Sequence, residues 1–111
     1  CGAVSAACGS GAAITYMLGG DYEEVCDTIT NTLANVSGIL CDGAKPSCAA
    51  KIASSVDAAI MGLTMSSTAL KFLDGDGIVK SNVEETISVI GNIASEGMKK
   101  TDVTVINHMI K

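Results

Sequence analysis

The sequence has few aromatic and few basic residues. Its 111 residues include no tryptophan and one phenylalanine, although 48% of them are hydrophobic. A core of alanine, isoleucine, valine, leucine and methionine suits closely packed helices, because small side chains let backbones approach. Seven basic residues stand against 12 acidic ones, which gives a net charge of -5 with no basic patch. The composition therefore argues against nucleic-acid binding, which needs cationic groups to neutralise phosphates.

The sequence also lacks a long hydrophobic run. The stretch from Ala3 to Leu18 is shorter than the about 20 residues of a membrane-spanning helix, and it contains Ser5, Gly9 and Thr15. We predict that it is a buried core helix, with no membrane association and, since no basic leader precedes it, no signal peptide. Five cysteines, an odd number without the spacing of a small disulfide scaffold, favour a reduced, cytoplasmic protein.

Hydrophobic spacing and helix-capping residues predict an all-α bundle of about five helices. A chain of 111 residues forms one domain at most, and because it starts without an initiator methionine we expect a piece of a larger protein. The first helix covers Ala3 to Leu18 and ends at Gly19-Gly20. Asp21 with Glu24 caps the second helix, which ends near Gly38. The third opens at Pro46 and extends to about Ser66.

Two further helices are predicted beyond an irregular segment at 73–77. Ser81 with Glu84 forms a capping box for the fourth, which ends near Gly97, and Thr101 caps a short last helix. A period of 3.6 residues assigns buried apolar positions in the four later helices. They are Val25, Ile29, Leu33 and Val36; Ala49, Ile52, Ala53, Val56, Ile60 and Leu63; Val83, Ile87, Ile90 and Ala94; and Val103, Ile106 and Ile110.

The chain is organised around the turn between the second and third helices, CDGAKPSC at positions 41–48. Gly43 permits positive φ and Pro46 suits the first position of a helix, so this turn can bring Cys41 and Cys48 together. Cys1 is the third candidate ligand. Thiols are also frequent small hydrophobes of helical cores, and composition alone favours that interpretation; we assign it to Cys8 and Cys26, which lie inside predicted helices.

The spacing of the three candidate thiols bears on which metal they would bind. Cys1, Cys41 and Cys48 are too far apart for the usual zinc pairs, and no suitable histidine completes a set. An iron-sulfur cluster tolerates wider spacing, and three thiolates would leave one iron without a protein ligand. Such an iron is a Lewis acid that binds a substrate carboxylate and a hydroxyl or thiol, as β-elimination requires.

Two other features have simpler interpretations. The segment LDGDG at 73–77, followed by Glu85, places acidic residues like a calcium loop, but Ile78 and Val79 stand where a ligand and a turn glycine belong, so we predict no EF-hand. We interpret it as a connection between helices, with a role at the edge of an active-site cleft as the alternative. His108, the single histidine, is expected at or near the surface.

Five segments carry a resemblance to a known family: GAVSAACGSG (2–11), ITNTL (29–33), CDGAKPSCAAKI (41–52), GDGIV (75–79) and SEGM (95–98). They resemble the C-terminal part of the serine dehydratase alpha-chain family, in the branch that contains L-cysteine desulfidase and the UPF0597 proteins. The resemblance covers essentially all 111 residues, and positions 41–48 are its most specific motif. In more distant serine dehydratases the last two cysteines are further apart.

The resemblance implies an all-α domain that holds a 4Fe-4S cluster through Cys1, Cys41 and Cys48, without pyridoxal phosphate. It also implies an N-terminal portion of the same protein that carries the catalytic base, so residues 1–111 alone would be an inactive, cluster-binding C-terminal domain. Asp42 and Lys45, beside the thiols, are candidate substrate-binding residues, Lys45 for a carboxylate; otherwise they cap and solvate the turn.

The function that we predict is β-elimination of L-cysteine or L-serine, which yields pyruvate and ammonia with sulfide or water. Two alternatives stay open: a non-catalytic helical assembly module with buried cysteines, and a redox or cluster-carrying domain. Apolar surface left exposed without the N-terminal portion also predicts a homodimer.

Overall fold

The computed structural model describes residues 1–110, and within them it contains five α-helices, one π-helical turn and no strands. This confirms the predicted all-α fold. The helices are α1 (Gly2–Met17), α2 (Tyr22–Val36), α3 (Pro46–Ser67), α4 (Val83–Asn92) and α5 (Lys99–Met109), and the π-helical turn Ile93–Gly97 joins the last two. The first three helices pack against one another, α4 packs against α2, and α5 contacts the π-helical turn.

The ends of the first three helices follow local sequence signals. Gly19 has a φ of +88°, as a left-handed residue after the end of α1 requires. The Asp21 carboxylate accepts a hydrogen bond of 2.9 Å from the Glu24 amide at the start of α2, as predicted. Pro46 occupies the first turn of α3, where its missing N–H has no helical acceptor to lose.

Small and polar residues, rather than large apolar ones, fill the space between α1, α2 and α3. A Cβ on Gly11 would lie 3.1 Å from the Ala59 Cβ, and a Cβ on Gly62 would lie 3.0 Å from Thr32 Oγ1. These glycines let the helices approach closely. Thr15 and Thr28 share a hydrogen bond of 2.8 Å between their hydroxyl oxygens at the buried contact of α1 with α2.

Asn31, which is 1% exposed, connects α2 to α3 and to the segment that follows α3. Its side-chain amide donates to the carbonyl oxygens of Gly62 in α3, at 3.2 Å, and of Leu70, at 3.3 Å. Its Oδ1 accepts from the Phe72 amide at 3.0 Å. Because every polar atom of the side chain has a partner, burial of Asn31 fixes the path of the chain after α3.

The predicted buried face of α3 is wrong within the described chain. Ile52, Val56 and Ile60 are exposed, whereas a face made of small residues is buried against α1 and α2. That face consists of Ser55, Ala58, Ala59, Gly62 and Ser66. Small residues form the contact with α1 and α2 because they allow a shorter distance between helix axes. Among the described helices, α3 is also the one whose length and composition would suffice to cross a membrane.

The prediction that α1 is a buried core helix holds for only one of its faces. Its buried residues, Val4, Ala7, Cys8, Gly11 and Thr15, form one face. Met17, on the other side, is 81% exposed. On α2, Leu33 is buried as predicted, while Val25, Ile29 and Val36 are partly buried and Thr28 and Thr32 are fully enclosed. α2 ends at Val36, before the predicted Gly38.

The caps and faces of the last two helices differ from the predictions. Asn82, not Ser81, caps α4: its side chain accepts from the Glu85 amide at 2.9 Å, while the Ser81 hydroxyl contacts the Glu85 carboxylate. α5 begins at Lys99, so Thr101 lies inside it. The predicted buried residues Ile87, Ala94, Val103, Ile106 and Ile110 are all exposed, because no other helix of the described chain covers their faces.

Candidate functional site

The turn between α2 and α3 has the geometry that its glycine and proline predict. Gly43 has a φ of +87°, and the Lys45 amide donates to the Gly43 carbonyl at 2.9 Å. The Cys48 amide then donates to the Lys45 carbonyl at 2.8 Å in the first turn of α3. Cys41 is exposed and Cys48 is partly buried. The turn therefore places Cys48 in the first turn of α3 and Cys41 in the segment that leads into that helix.

Lys51 fastens this turn to α3, a role that we did not assign from the sequence. Its ammonium group donates to the Leu40 carbonyl at 2.8 Å and to the Asp42 carboxylate at 2.5 Å. The hydrogen bond from Lys51 lowers the pKa of Asp42 below its ordinary value. Asp42, predicted to bind substrate, is thus paired within the turn, whereas Lys45 is exposed next to it. No local pattern of the sequence indicates this contact, because Lys51 and Asp42 are nine positions apart.

Cys1 lies at the same end of the three-helix core as this turn. It packs against the cluster of Val4, Cys8 and Leu33, and so does Ile39, two residues before Cys41. All five cysteines are free thiols. The donor chemistry of Cys1, Cys41 and Cys48 fits an iron-sulfur cluster, which is held by thiolates. Within residues 1–110, however, no three cysteine, histidine or carboxylate side chains are gathered as a metal site.

The two remaining cysteines have different environments. Cys8 is buried, its thiol lies 3.7 Å from the Ile29 carbonyl, and burial raises its pKa to about 11. It is therefore a protonated core thiol at neutral pH, in agreement with its predicted role. Cys26 is only partly buried and lines a cleft, so the prediction of a core residue does not hold for it.

That cleft has a volume of about 820 Å³ and lies at the start of α2, away from the cysteine turn. Side chains of both charges line it, among them Asp27, Lys71, Asp74, Lys80 and Glu84. Leu73 and Asp74, at the start of the connection 73–77, also line it. Asp76 has a partner within this segment, since its carboxylate accepts from the Leu73 amide at 2.6 Å. The segment connects α3 to α4, as predicted.

His108 is exposed near the end of α5, as expected. α5 approaches the cysteine turn through Met109, whose methyl carbon would lie 3.6 Å from a Cβ on Gly43. The turn is thus flanked by α5 as well as by α3.

Comparison with known proteins identifies the family. The sequence profile of the serine dehydratase alpha chain matches residues 1–107. UPF0597 proteins of Lachnoclostridium phytofermentans and Treponema denticola are each 57% identical to this chain, over 99% and 100% of it, and one of Desulfitobacterium hafniense is 54% identical over 99%. In each case the chain spans 26% of the relative's length. No solved structure matches. The chain, a segment of a larger protein, belongs to the serine dehydratase alpha chain family.

Proposed function

We propose that this chain is the cluster-binding part of an iron-sulfur lyase that eliminates the β-substituent of L-cysteine or L-serine. The products would be pyruvate and ammonia, with sulfide from cysteine or water from serine. The observation that carries the proposal is the turn at 41–48, with one free thiol, Cys41, before α3 and a second, Cys48, in its first turn, in a chain that belongs to the serine dehydratase alpha chain family.

Cys1, Cys41 and Cys48 would hold the 4Fe-4S cluster. Their thiols are free, Cys41 and Cys48 belong to one turn, and Cys1 packs on the same apolar cluster as the segment that leads into it. A three-thiolate cluster supplies one iron with an open position, which is a Lewis acid for the substrate's carboxylate and leaving group.

The protein side chains around the turn have two separate tasks in this proposal. Lys51 holds Asp42 and the Leu40 carbonyl, and so keeps Cys41 beside the start of α3. Lys45 is exposed and has no carboxylate partner within the described residues, which leaves its ammonium group free to attract a substrate carboxylate. The base that removes the α-proton would come from the remainder of the full-length protein.

The test is anaerobic reconstitution of the full-length protein with iron and sulfide, followed by pyruvate release from L-cysteine and from L-serine in parallel. We expect pyruvate from at least one substrate, loss of it in Cys41→Ala, and retention in Cys26→Ala, whose thiol lies at the separate cleft. A stable cluster without pyruvate would support a redox or cluster-carrying domain instead. Reconstitution without any cluster would support a helical assembly module.

A further inference from the structure

One face of α3 carries large apolar side chains that nothing in the described chain covers. Ile52, Val56 and Ile60 are 50%, 42% and 48% exposed. Their spacing of four residues aligns them in one row along the helix. Ala49 and Ala53 lie on the same side and are also exposed. We call these five residues the α3 apolar face.

This face is not needed to hold α3 in the bundle. The helix is attached through its small-residue face, in which Ser55 and Ala58 are 0% and 4% exposed. The Ser66 hydroxyl adds a bond of 2.8 Å to the Glu24 carbonyl in α2. Docking of α3 onto α1 and α2 is therefore complete while the α3 apolar face is still in contact with solvent. A row of uncharged side chains in this state is typical of a surface that has a permanent partner.

We propose that the α3 apolar face packs against the part of the same polypeptide that lies outside these 111 residues. The relatives are about four times as long as this chain, which spans 26% of them. A covalently attached partner is always present at equal stoichiometry, so it suits a face without charged residues. Burial of this face would also explain why its residues follow the apolar period of a core helix.

The two other candidate partners agree less well with the structure. A second copy docked through this face alone would bury five side chains of one helix, far below the roughly 1,600 Å² of a standard interface. A membrane would have to accept α3 with Lys51 and Asp57 within its length. Lys51 moreover is bound to the turn that precedes α3.

The test places a photo-crosslinking amino acid at Val56 of the full-length protein. The control position is Ser54, which is exposed and about 200° away around the helix. We expect a crosslink within a single polypeptide from position 56, which peptide mapping assigns to sequence outside residues 1–111, and several-fold less of it from position 54. A band of doubled mass, a lipid adduct in the presence of phospholipid vesicles, or equal crosslinking at both positions would overturn the proposal.

A pair of substitutions gives a second readout that needs neither the cluster nor activity. In the full-length protein, Val56→Asp should lower the midpoint of thermal unfolding by several degrees, and Ser54→Asp should leave it nearly unchanged. Should Val56→Asp fail to fold, Val56→Ala compared with Ser54→Ala provides the same contrast at smaller amplitude. Equal midpoints within a pair would contradict burial of the α3 apolar face.

Discussion

Helices α1 to α3 and helices α4 and α5 are held in place in different ways. The first three are joined by close contacts of small residues and by buried hydrogen bonds, as at Gly62 and Asn31. α4 touches α2 and has one buried residue, Thr86, and α5 has none. Stability of the described chain is therefore concentrated in its first three helices, because the last two bury few residues.

Folding and the candidate chemistry depend on different parts of the molecule, the three-helix core and the cysteine turn. The close three-helix packing positions the N-terminal end of α3, and the cysteine turn is attached to that end by Lys51. Changes in the three-helix core should thus affect folding most, and changes in the turn should affect the thiols with little effect on folding.

Replacing Asn31 should cause the largest loss of stability. Asn31→Leu keeps a similar volume but leaves the buried Leu70 carbonyl and Phe72 amide without partners, which we expect to lower the free energy of unfolding by about 3–4 kcal/mol. Asn35→Leu, one turn later on an exposed position of α2, should change it by less than about 0.5 kcal/mol. Urea denaturation measures both; similar losses would show that Asn31 has no special role.

Alkaline pH should destabilise the three-helix core through Cys8. Its pKa is about 11 in the folded protein against an ordinary value of 9.0, so only the unfolded chain loses the proton between these values. The free energy of unfolding should therefore fall as pH rises through this window, by about 2–3 kcal/mol in total. Cys8→Ala should remove that part of the decline. Identical pH profiles for the two proteins would contradict a buried, protonated thiol.

Two glycines should respond in opposite directions to alanine. In Gly62→Ala the new Cβ would lie 3.1 Å from the Thr28 carbonyl oxygen, and we expect a loss of about 1–2 kcal/mol despite the better helix propensity. In Gly91→Ala on α4 the new Cβ meets no atom within 4 Å, so stability should rise by about 0.5–1 kcal/mol. Equal changes in the midpoint of thermal unfolding for the two variants would contradict close packing at Gly62 and open space at Gly91.

Removing the Lys51 contacts should have the smallest effect on stability and a clear effect on the turn. Lys51→Met frees Asp42 and the Leu40 carbonyl, so alkylation of Cys41 should become several-fold faster at neutral pH, while Lys45→Met should leave the rate unchanged. Because the pKa of Asp42 is lowered, the ion pair is fully formed above pH 3.8 and is lost as pH falls through the lower, folded-state value. Equal alkylation rates would show that Lys51 does not hold the turn.

Local signals in the sequence predicted the helices better than their faces. Asp21, Gly43 and Pro46 act through their own backbone chemistry, so their roles could be predicted without knowledge of the fold. The prediction that Ser81 caps α4 was wrong because the adjacent Asn82 is an equally good cap. The prediction of the buried face of α3 was wrong because apolar spacing identifies a row of large side chains, whereas the contact with α1 and α2 is made by small residues.

The candidate site was predictable to the same extent. The thiols, Gly43 and Pro46 are visible in the sequence, and the family is evident from five short motifs distributed along the chain. The contacts of Lys51 join residues nine positions apart, and those of Asn31 reach 31 and 41 positions along the chain. Such contacts depend on how the helices pack, so no local sequence pattern predicts them.

The most direct test of the account measures iron content and visible absorbance of the full-length protein after anaerobic reconstitution, for five single cysteine-to-alanine variants. We predict that Cys1→Ala, Cys41→Ala and Cys48→Ala lose the cluster, and that Cys8→Ala and Cys26→Ala retain it. A cluster that survives all of the first three substitutions, or that is lost equally in all five, would contradict the assignment of these thiols.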